Sequence, residues 1–459
     1  MANFLGVLCN TCRENGTTPW ERCFMSLDPG TKDCISMVAE LLPHEPDFSM
    51  NQVKAAVEVA VAEHPRLREV LSDCGLWEEV ELDLEADHLR WIQDAGESKG
   101  KEEDPGIVLA MQNMPAFDDA SGRTPRWQVI ATPRKLVFHV HHAAVDGVGI
   151  VVITSTLLFG KSLRETVQEM LPMAEKSRRK HGSAQPDCSG SCCEGLTAMG
   201  SCMRHVGAPF RGLLFPEAKS PISAPSDAAR PSQIRYFHLG PYPLSAVREE
   251  ARASGVTVNS VLLRQVTAGL QDYCESQGAA RISNFTVAIP ISFKVPDADV
   301  PERMKANNNF STLVLKVPQK SRMSCSSDEE SCEEVHYVSP EEWSRGHAVG
   351  AWAAQGLLSL LPMAIVRRLL WWSSRLVHFA FSNVNGSVFG SKFRCPLTKV
   401  EKEVKVYAHG SLNCGNRLFF LANSHGADLH VSIVMDGEQI KSASELVSCL
   451  DQQLLHVGS

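Results

Sequence analysis

Apolar side chains recur with a helical period along Ser49–Leu71, SMNQVKAAVEVAVAEHPRLREVL. Val53, Ala56, Val57, Val59, Ala60 and Val61 supply one stripe, which predicts an amphipathic helix over this stretch. Ser49 can cap it, and the pattern ends at His64-Pro65. A hairpin is expected over Thr124–His142, with one strand around WQVIA, a turn at Thr132-Pro133-Arg134 and a second strand LVFHVHH. VGIVVITSTLLFGKSLRETVQEML then reads as helix. Further on, QIRYFHL reads as a strand, and Leu244–Gly278 as two helices around Gly255. FTVAIPISF, NFSTLVLKV, VKVYAHG, RLFFLANSHG and ADLHVSIVMD read as strands, and SASELVSCLDQQLLHV as a closing helix. The fold class expected is α/β (α+β), two halves of mixed sheets with helices packed on them. The N-terminal half covers 1–175, a linker with a Cys-rich insertion 176–232, and the C-terminal half 233–459, with a polar acidic loop at 321–335.

One apolar run departs from these patterns. Residues 346–366, GHAVGAWAAQGLLSLLPMAIV, carry no Lys, Arg, Asp or Glu, and Arg367, Arg368, Trp371, Trp372 and Arg375 follow. The run is long enough to cross a bilayer, but His347, Gln355 and Pro362 interrupt it. A buried core helix, an interfacial anchor and a span all stay open.

Composition narrows the classes. At 459 residues the chain exceeds one ordinary core, and 44 % apolar with 21 % charged residues is globular. A net charge of −8 argues against general nucleic-acid binding, which needs clustered Lys and Arg. The 15 cysteines include one CxxC, Cys9 and Cys12, and a cluster at Cys188, Cys192, Cys193 and Cys202. Neither has the paired spacing of a zinc module, so free thiols in a reducing compartment are expected, and no metal. The N-terminus, MANFLGVLCNTCRENG, lacks a secretory core, which points to the cytoplasmic side.

VFHVHHAAVDGVG, 137–149, concentrates the candidate chemistry. Side chains alternate along a strand, so Phe138, Val140 and His142 point one way and Val137, His139 and His141 the other. Three histidines so placed do not converge on a metal. A histidine at the strand end, before a turn, can instead face a cleft and accept a proton from an alcohol near neutral pH. Asp146 could hold the loop through an ion pair, and Gly147 and Gly149 would let the backbone turn tightly. Packed strand histidines without chemistry remain the alternative.

HHAAVDG, 141–147, resembles the HHxxxDG motif of the CoA-dependent acyltransferase superfamily, which includes chloramphenicol acetyltransferase and nonribosomal peptide condensation domains. Other segments resemble its wax ester synthase/diacylglycerol acyltransferase branch, in the same order along the chain. These are EHPRLRE, PRW at 125–127, TVNSVLLRQVTAGLQDY, VAIPISF, NNNFS and SNVNG at 382–386. The chain departs from the branch at Ser260, Asn309 and Asn385, and in PRW for PLW.

The resemblance implies two chloramphenicol-acetyltransferase-like halves with a tunnel between them. It implies acyl-CoA as co-substrate with no bound cofactor, and an alcohol or diacylglycerol acceptor. His142 would be the general base, His141 a supporting residue and Asp146 a structural one, paired with an arginine. Gly147 completes the motif. Asn259, Asn308, Ser382 and Asn383 fall on motif positions and would line the interface or tunnel, although turn and capping roles suit Asn and Ser equally. A short alcohol, an amine or a carrier-bound thioester are alternative substrates, and lipid binding without catalysis a further alternative. Long-chain substrates would suit a peripheral position on an endoplasmic reticulum membrane or lipid droplet.

Overall fold

The computed structural model describes residues 33–71, 76–114, 124–180, 233–319 and 376–457, with short interruptions, and isolated positions elsewhere, among them Thr18 and Glu21. Cys9, Cys12, Cys188, Cys192, Cys193, most of the 176–232 linker, the 321–335 loop, Asn385 and most of the 346–366 run with Trp371 and Trp372 lie outside the described residues.

The first half opens with β1 (Cys34–Leu41) and α1 (Met50–Glu63). Ser49 caps α1, as the sequence suggests, and Gln52 answers it with a reciprocal bond to complete a capping box. The helix stops at Glu63 rather than running on to Leu71. Pro65 has no N–H and disfavours helical backbone before it. The chain turns through a 3-10 segment, Pro65–Arg68, into β2 (Glu69–Leu71), which pairs with β3 (Trp77–Glu79). β4 (Leu89–Trp91), α2 (Pro105–Gln112) and the hairpin of β5 (Trp127–Ala131) and β6 (Lys135–His141) follow.

Beyond β6 the apolar run is two helices, not one: α3 (Gly147–Phe159) and α4 (Leu163–Lys180), bent 117° apart. Gly160, at φ 61°, caps α3 in the left-handed region that glycine enters without strain. α3 carries no charged residue and is buried from Gly149 to Phe159, its hydroxyls Thr154 to Thr156 included, the pattern of a core helix. Among the described residues no single helix is long and apolar enough to cross a membrane.

The second half comprises β7 (Ile234–Pro243), α5 (Leu244–Ala253), α6 (Val258–Ser276), β8 (Asn284–Ser292), β9 (Phe310–Pro318), β10 (Phe379–Val384), β11 (Lys392–Arg394), β12 (Glu401–His409), β13 (Leu418–His425), β14 (Asp428–Asp436) and α7 (Ala443–Leu455). One six-stranded sheet has the order β11-β12-β1-β6-β5-β4, the other β7-β14-β13-β10-β8-β9. Two strands from beyond residue 233 thus complete the sheet of the N-terminal half. β1 lies antiparallel between β6 and β12, so His139, Ser36 and His409 stand in one register across three strands.

Alternation sorts the core. Phe138 and Val140 pack with residues of α1 and α3 on one face of the first sheet. Val137, Val38, Ile130 and Tyr407 on the other face meet α2, and Ile234, Tyr236 and Val434 of the second sheet. The two sheets therefore share this cluster with α2. Asn423 on β13 adds a tie by donating to the Val406 carbonyl of β12 at 3.0 Å.

Candidate active site

β6 delivers the HHAAVDG loop to the end of the first sheet. His139 and His141 are fully buried on the face the alternation assigns them. The His139 Nδ1 lies 2.7 Å from the Ser36 hydroxyl, and burial pushes its pKa down to about 3. His141 Nδ1 accepts from the Ala143 N–H at 3.1 Å, so its ring folds back on its own loop. His142 is the first residue past the strand and is half-buried. Its N–H donates to the Asp33 carbonyl at 2.6 Å, and its ring stacks on Phe310 with centroids 5.5 Å apart. Desolvation lowers its pKa; the His142 backbone, the Asp146 charge, the Val145 backbone and the Asn308 side chain pull the other way. A neutral imidazole at neutral pH is the form able to accept a proton.

Asp146 ends the loop as the N-cap of α3, 1 % exposed. Its Oδ1 accepts from the Gly149 N–H at 2.7 Å and from Lys294 Nζ at 2.8 Å, and its Oδ2 from the Asn309 N–H at 3.0 Å. The partner of Asp146 is therefore a lysine, not the arginine expected. Lys294 lies just beyond β8, and its Nζ also donates to the Lys305 carbonyl at 3.0 Å. Burial lowers the pKa of Lys294, and Asp146 opposes that shift. Gly147 has no left-handed backbone, and a Cβ there would meet nothing within 4 Å, so the tight-turn role does not hold for it. It leaves open space at the start of α3.

Asn308 joins this group directly. Its Nδ2 donates to the carbonyls of both His142 and Ala143 at 2.8 Å, so the second half clamps the loop by backbone as well as by charge. Asn259 and Asn383 form a separate pair, with Asn383 Nδ2 donating to Asn259 Oδ1 at 2.5 Å. Ser382 precedes Asn383 on β10, half-buried and in register with Leu421 of β13. Gly386 of SNVNG has a packing reason: a Cβ there would lie 1.8 Å from the Ser424 carbonyl oxygen.

A second layer of charge escaped the sequence. Glu21 is fully buried, accepts from the Thr18 N–H at 2.7 Å and from Trp77 Nε1 at 3.3 Å, and lies 3.6 Å from Arg66. Burial raises its pKa, with Arg66 opposing. Arg66, from EHPRLRE, also lies over the Trp77 ring at 3.9 Å. Lys294 itself feels the charges of Glu21 and Arg66 after that of Asp146. Nothing in local sequence links residues so far apart. Among the described residues, a metal-like cluster forms at His44, Glu45 and Glu403, outside the motif. A cavity of about 670 Å³ opens at the opposite end of β6, where Glu40, Glu103, Lys135, His238 and Tyr407 line it.

No family model and no curated protein sequence matches the chain. Solved structures do. A wax ester synthase/diacylglycerol acyltransferase from Marinobacter aquaeolei VT8 is similar over 96 % of this chain and 98 % of its own, at 15 % identity and a TM-score of 0.54. TRI3 trichothecene 15-O-acetyltransferase from Fusarium sporotrichioides is similar over 96 % and 95 %, at 11 % identity and a TM-score of 0.56. The first condensation domain of the CDA synthetase is similar over 97 % of each chain, at 14 % identity and a TM-score of 0.51. The chain has the two-lobed fold shared by condensation domains and these acyltransferases.

Proposed function

We propose that the protein transfers an acyl group from a thioester to a nucleophilic acceptor, with His142 as general base. The observation that carries this is the setting of His142. It is a half-buried imidazole at the end of β6, on a loop fixed from both sheets by Asp146, Lys294 and Asn308. The acceptor hydroxyl gives its proton to the imidazole as its oxygen attacks the thioester carbonyl. The tetrahedral oxyanion then collapses and expels the thiolate, which takes up the proton. A positioned base contributes about a hundred- to ten-thousand-fold, and holding both substrates together much of the rest.

The donor we favour is acyl-CoA as a co-substrate, with no resident cofactor or metal. The acceptor we favour is a long-chain alcohol or diacylglycerol, as the motif order along the chain suggests. That chemistry suits a peripheral position on a cytoplasmic membrane face or lipid droplet. Asn259, Ser382 and Asn383 are proposed to border the substrate passage. A short alcohol, an amine or a carrier-bound thioester would use the same base.

Thiol release from palmitoyl-CoA and acetyl-CoA tests the reading, with hexadecanol, diacylglycerol, a short alcohol and an amine as acceptors. Acceptor-dependent release is expected in wild type and lost in folded His142→Ala. Undiminished release in that variant would refute the role of His142.

A further inference from the structure

The loop after β1 reads Pro43-His44-Glu45-Pro46 and lies beside the start of β12. Its two prolines restrict the backbone, and the Glu45 N–H donates to the Leu42 carbonyl at 2.9 Å to close the turn. The Arg134 guanidinium holds this turn, donating to the carbonyls of Leu42 and Glu45 at 2.6 Å each. β12 is tied to the same place. The Leu42 N–H donates to the Glu403 carbonyl at 3.1 Å, and the Glu403 N–H to Glu45 Oε1 at 3.0 Å. The side chains of His44, Glu45 and Glu403 thus meet from two distant parts of the chain.

Their spacing is not that of hydrogen bonds. His44 Nε2 lies 3.4 Å from Glu403 Oε2 and 3.6 Å from Glu45 Oε1. A charge-assisted N–H···O bond would be about 2.7–2.9 Å. Zinc bonds of about 2.0–2.2 Å to nitrogen and oxygen set neighbouring ligand atoms about 3.3–3.6 Å apart in a tetrahedron. All three ligand atoms lie within 4.8 Å of one another. Two carboxylates this close repel unless a cation joins them. Among the described residues neither is ion-paired with Lys or Arg. The cations of this corner are engaged elsewhere. Lys402 Nζ donates to the Asp47 carbonyl at 2.5 Å and to Gln52 Oε1 at 3.0 Å, and Arg134 meets the Asp47 carboxylate at 3.3 Å.

We propose that His44, Glu45 and Glu403 form an exchangeable site for a divalent cation of the zinc class, which ties β12 to the loop after β1. One imidazole with two carboxylates suits zinc, whereas calcium and magnesium take oxygen ligands. The three side chains supply one face of a tetrahedron and leave the fourth position to solvent. His44 is 65 % exposed and Glu403 42 %, so the ion enters and leaves freely. Cys34, at one end of β1, pairs with His141, and the site follows the other end, so the ion takes no part in acyl transfer. Its effect is mechanical. It bonds the N-terminal half to a strand borrowed from beyond residue 233.

The test uses the full chain with isotope-labelled histidines observed by NMR, His44 being assigned by the signal lost in His44→Gln. Wild type, Glu45→Gln and Glu403→Gln are titrated with zinc, its free concentration set by a chelator buffer. Zinc bound at other histidines or thiols leaves the His44 signal where it is. That signal is expected to move in wild type, and the free zinc needed for half the change should rise about tenfold or more in each glutamine variant. Calcium should not move it. Glu403→Gln, at an exposed position, carries the test if Glu45→Gln does not fold. A His44 signal that stays still at millimolar free zinc overturns the proposal. Equal midpoints in wild type and Glu403→Gln would mean an adventitious ion only, on a lone imidazole, and overturn it as well. Thermal unfolding reads the tie itself. Zinc should raise the Tm of wild type more than that of Glu403→Gln, and an equal effect on both would overturn the link between β12 and the loop.

Discussion

Acid should unfold this protein well above the pH at which its carboxylates titrate. His64, His139 and His430 are buried, at 3 %, 1 % and 0 % exposure. Burial holds their pKa values at about 4, about 3 and about 4. In the unfolded chain each would titrate near 6.5. The unfolded state therefore binds more protons than the folded one as the pH falls below about 6.5. Stability is complete above that point and is lost on the way down. At pH 5 each histidine accounts for about 2 kcal/mol, and the three for about 6 kcal/mol, as an upper figure. Total stability of a folded protein is about 5–15 kcal/mol. Denaturant unfolding at steps from pH 7.5 to 4.5 measures the slope, expected to approach 4 kcal/mol per pH unit at its steepest, about 1.4 for each histidine. His139→Asn keeps a polar group near Ser36 but cannot take the proton, so it should lower the slope by about a third. A flat profile between pH 7 and 5, or an unaltered slope in His139→Asn, would refute the reasoning.

Two further outcomes test the packing of the loops. Asn308→Ala removes the donor to the His142 and Ala143 carbonyls and should cost about 1–3 kcal/mol in denaturant unfolding, together with most of any acyl transfer. Gly386→Ala forces a methyl group against the Ser424 carbonyl and should cost about 1–3 kcal/mol or more, read as a lowered Tm; an unchanged Tm would show that the β10 end can give way.

The elements with a strong period were legible, and those defined by distant contacts were not. α1 and the β5–β6 hairpin follow from a stripe, a capping serine and a turn, all local signals. The reading of 137–142 as a strand was also local: β6 takes in His139 and His141 and stops there, so His142 lies one residue beyond it, where alternation no longer governs. The break at Gly160 was hidden because α3 has no polar face to lose. Pro65 was visible as the end of a pattern, yet the charged residues after it fit either helix or strand. Within the site, Asn308 lay on a motif, but Lys294 is 148 positions from its partner and stands in an unremarkable loop. Glu21 and Arg66 likewise meet only through the tertiary fold.

The placement of β12 has a consequence for dissection of the chain. Ser36 to Leu41 of β1 pair with residues His409 to Val404, so a fragment ending at residue 232 would leave that side of β1 bare. A bare strand recruits any extended backbone it meets, including another copy of itself. Such a fragment should self-associate when expressed alone, and a synthetic peptide spanning 392–409 should suppress this by occupying the vacant edge. The natural unit for split-protein reconstitution is therefore neither half, but an N-terminal piece carrying its borrowed strands.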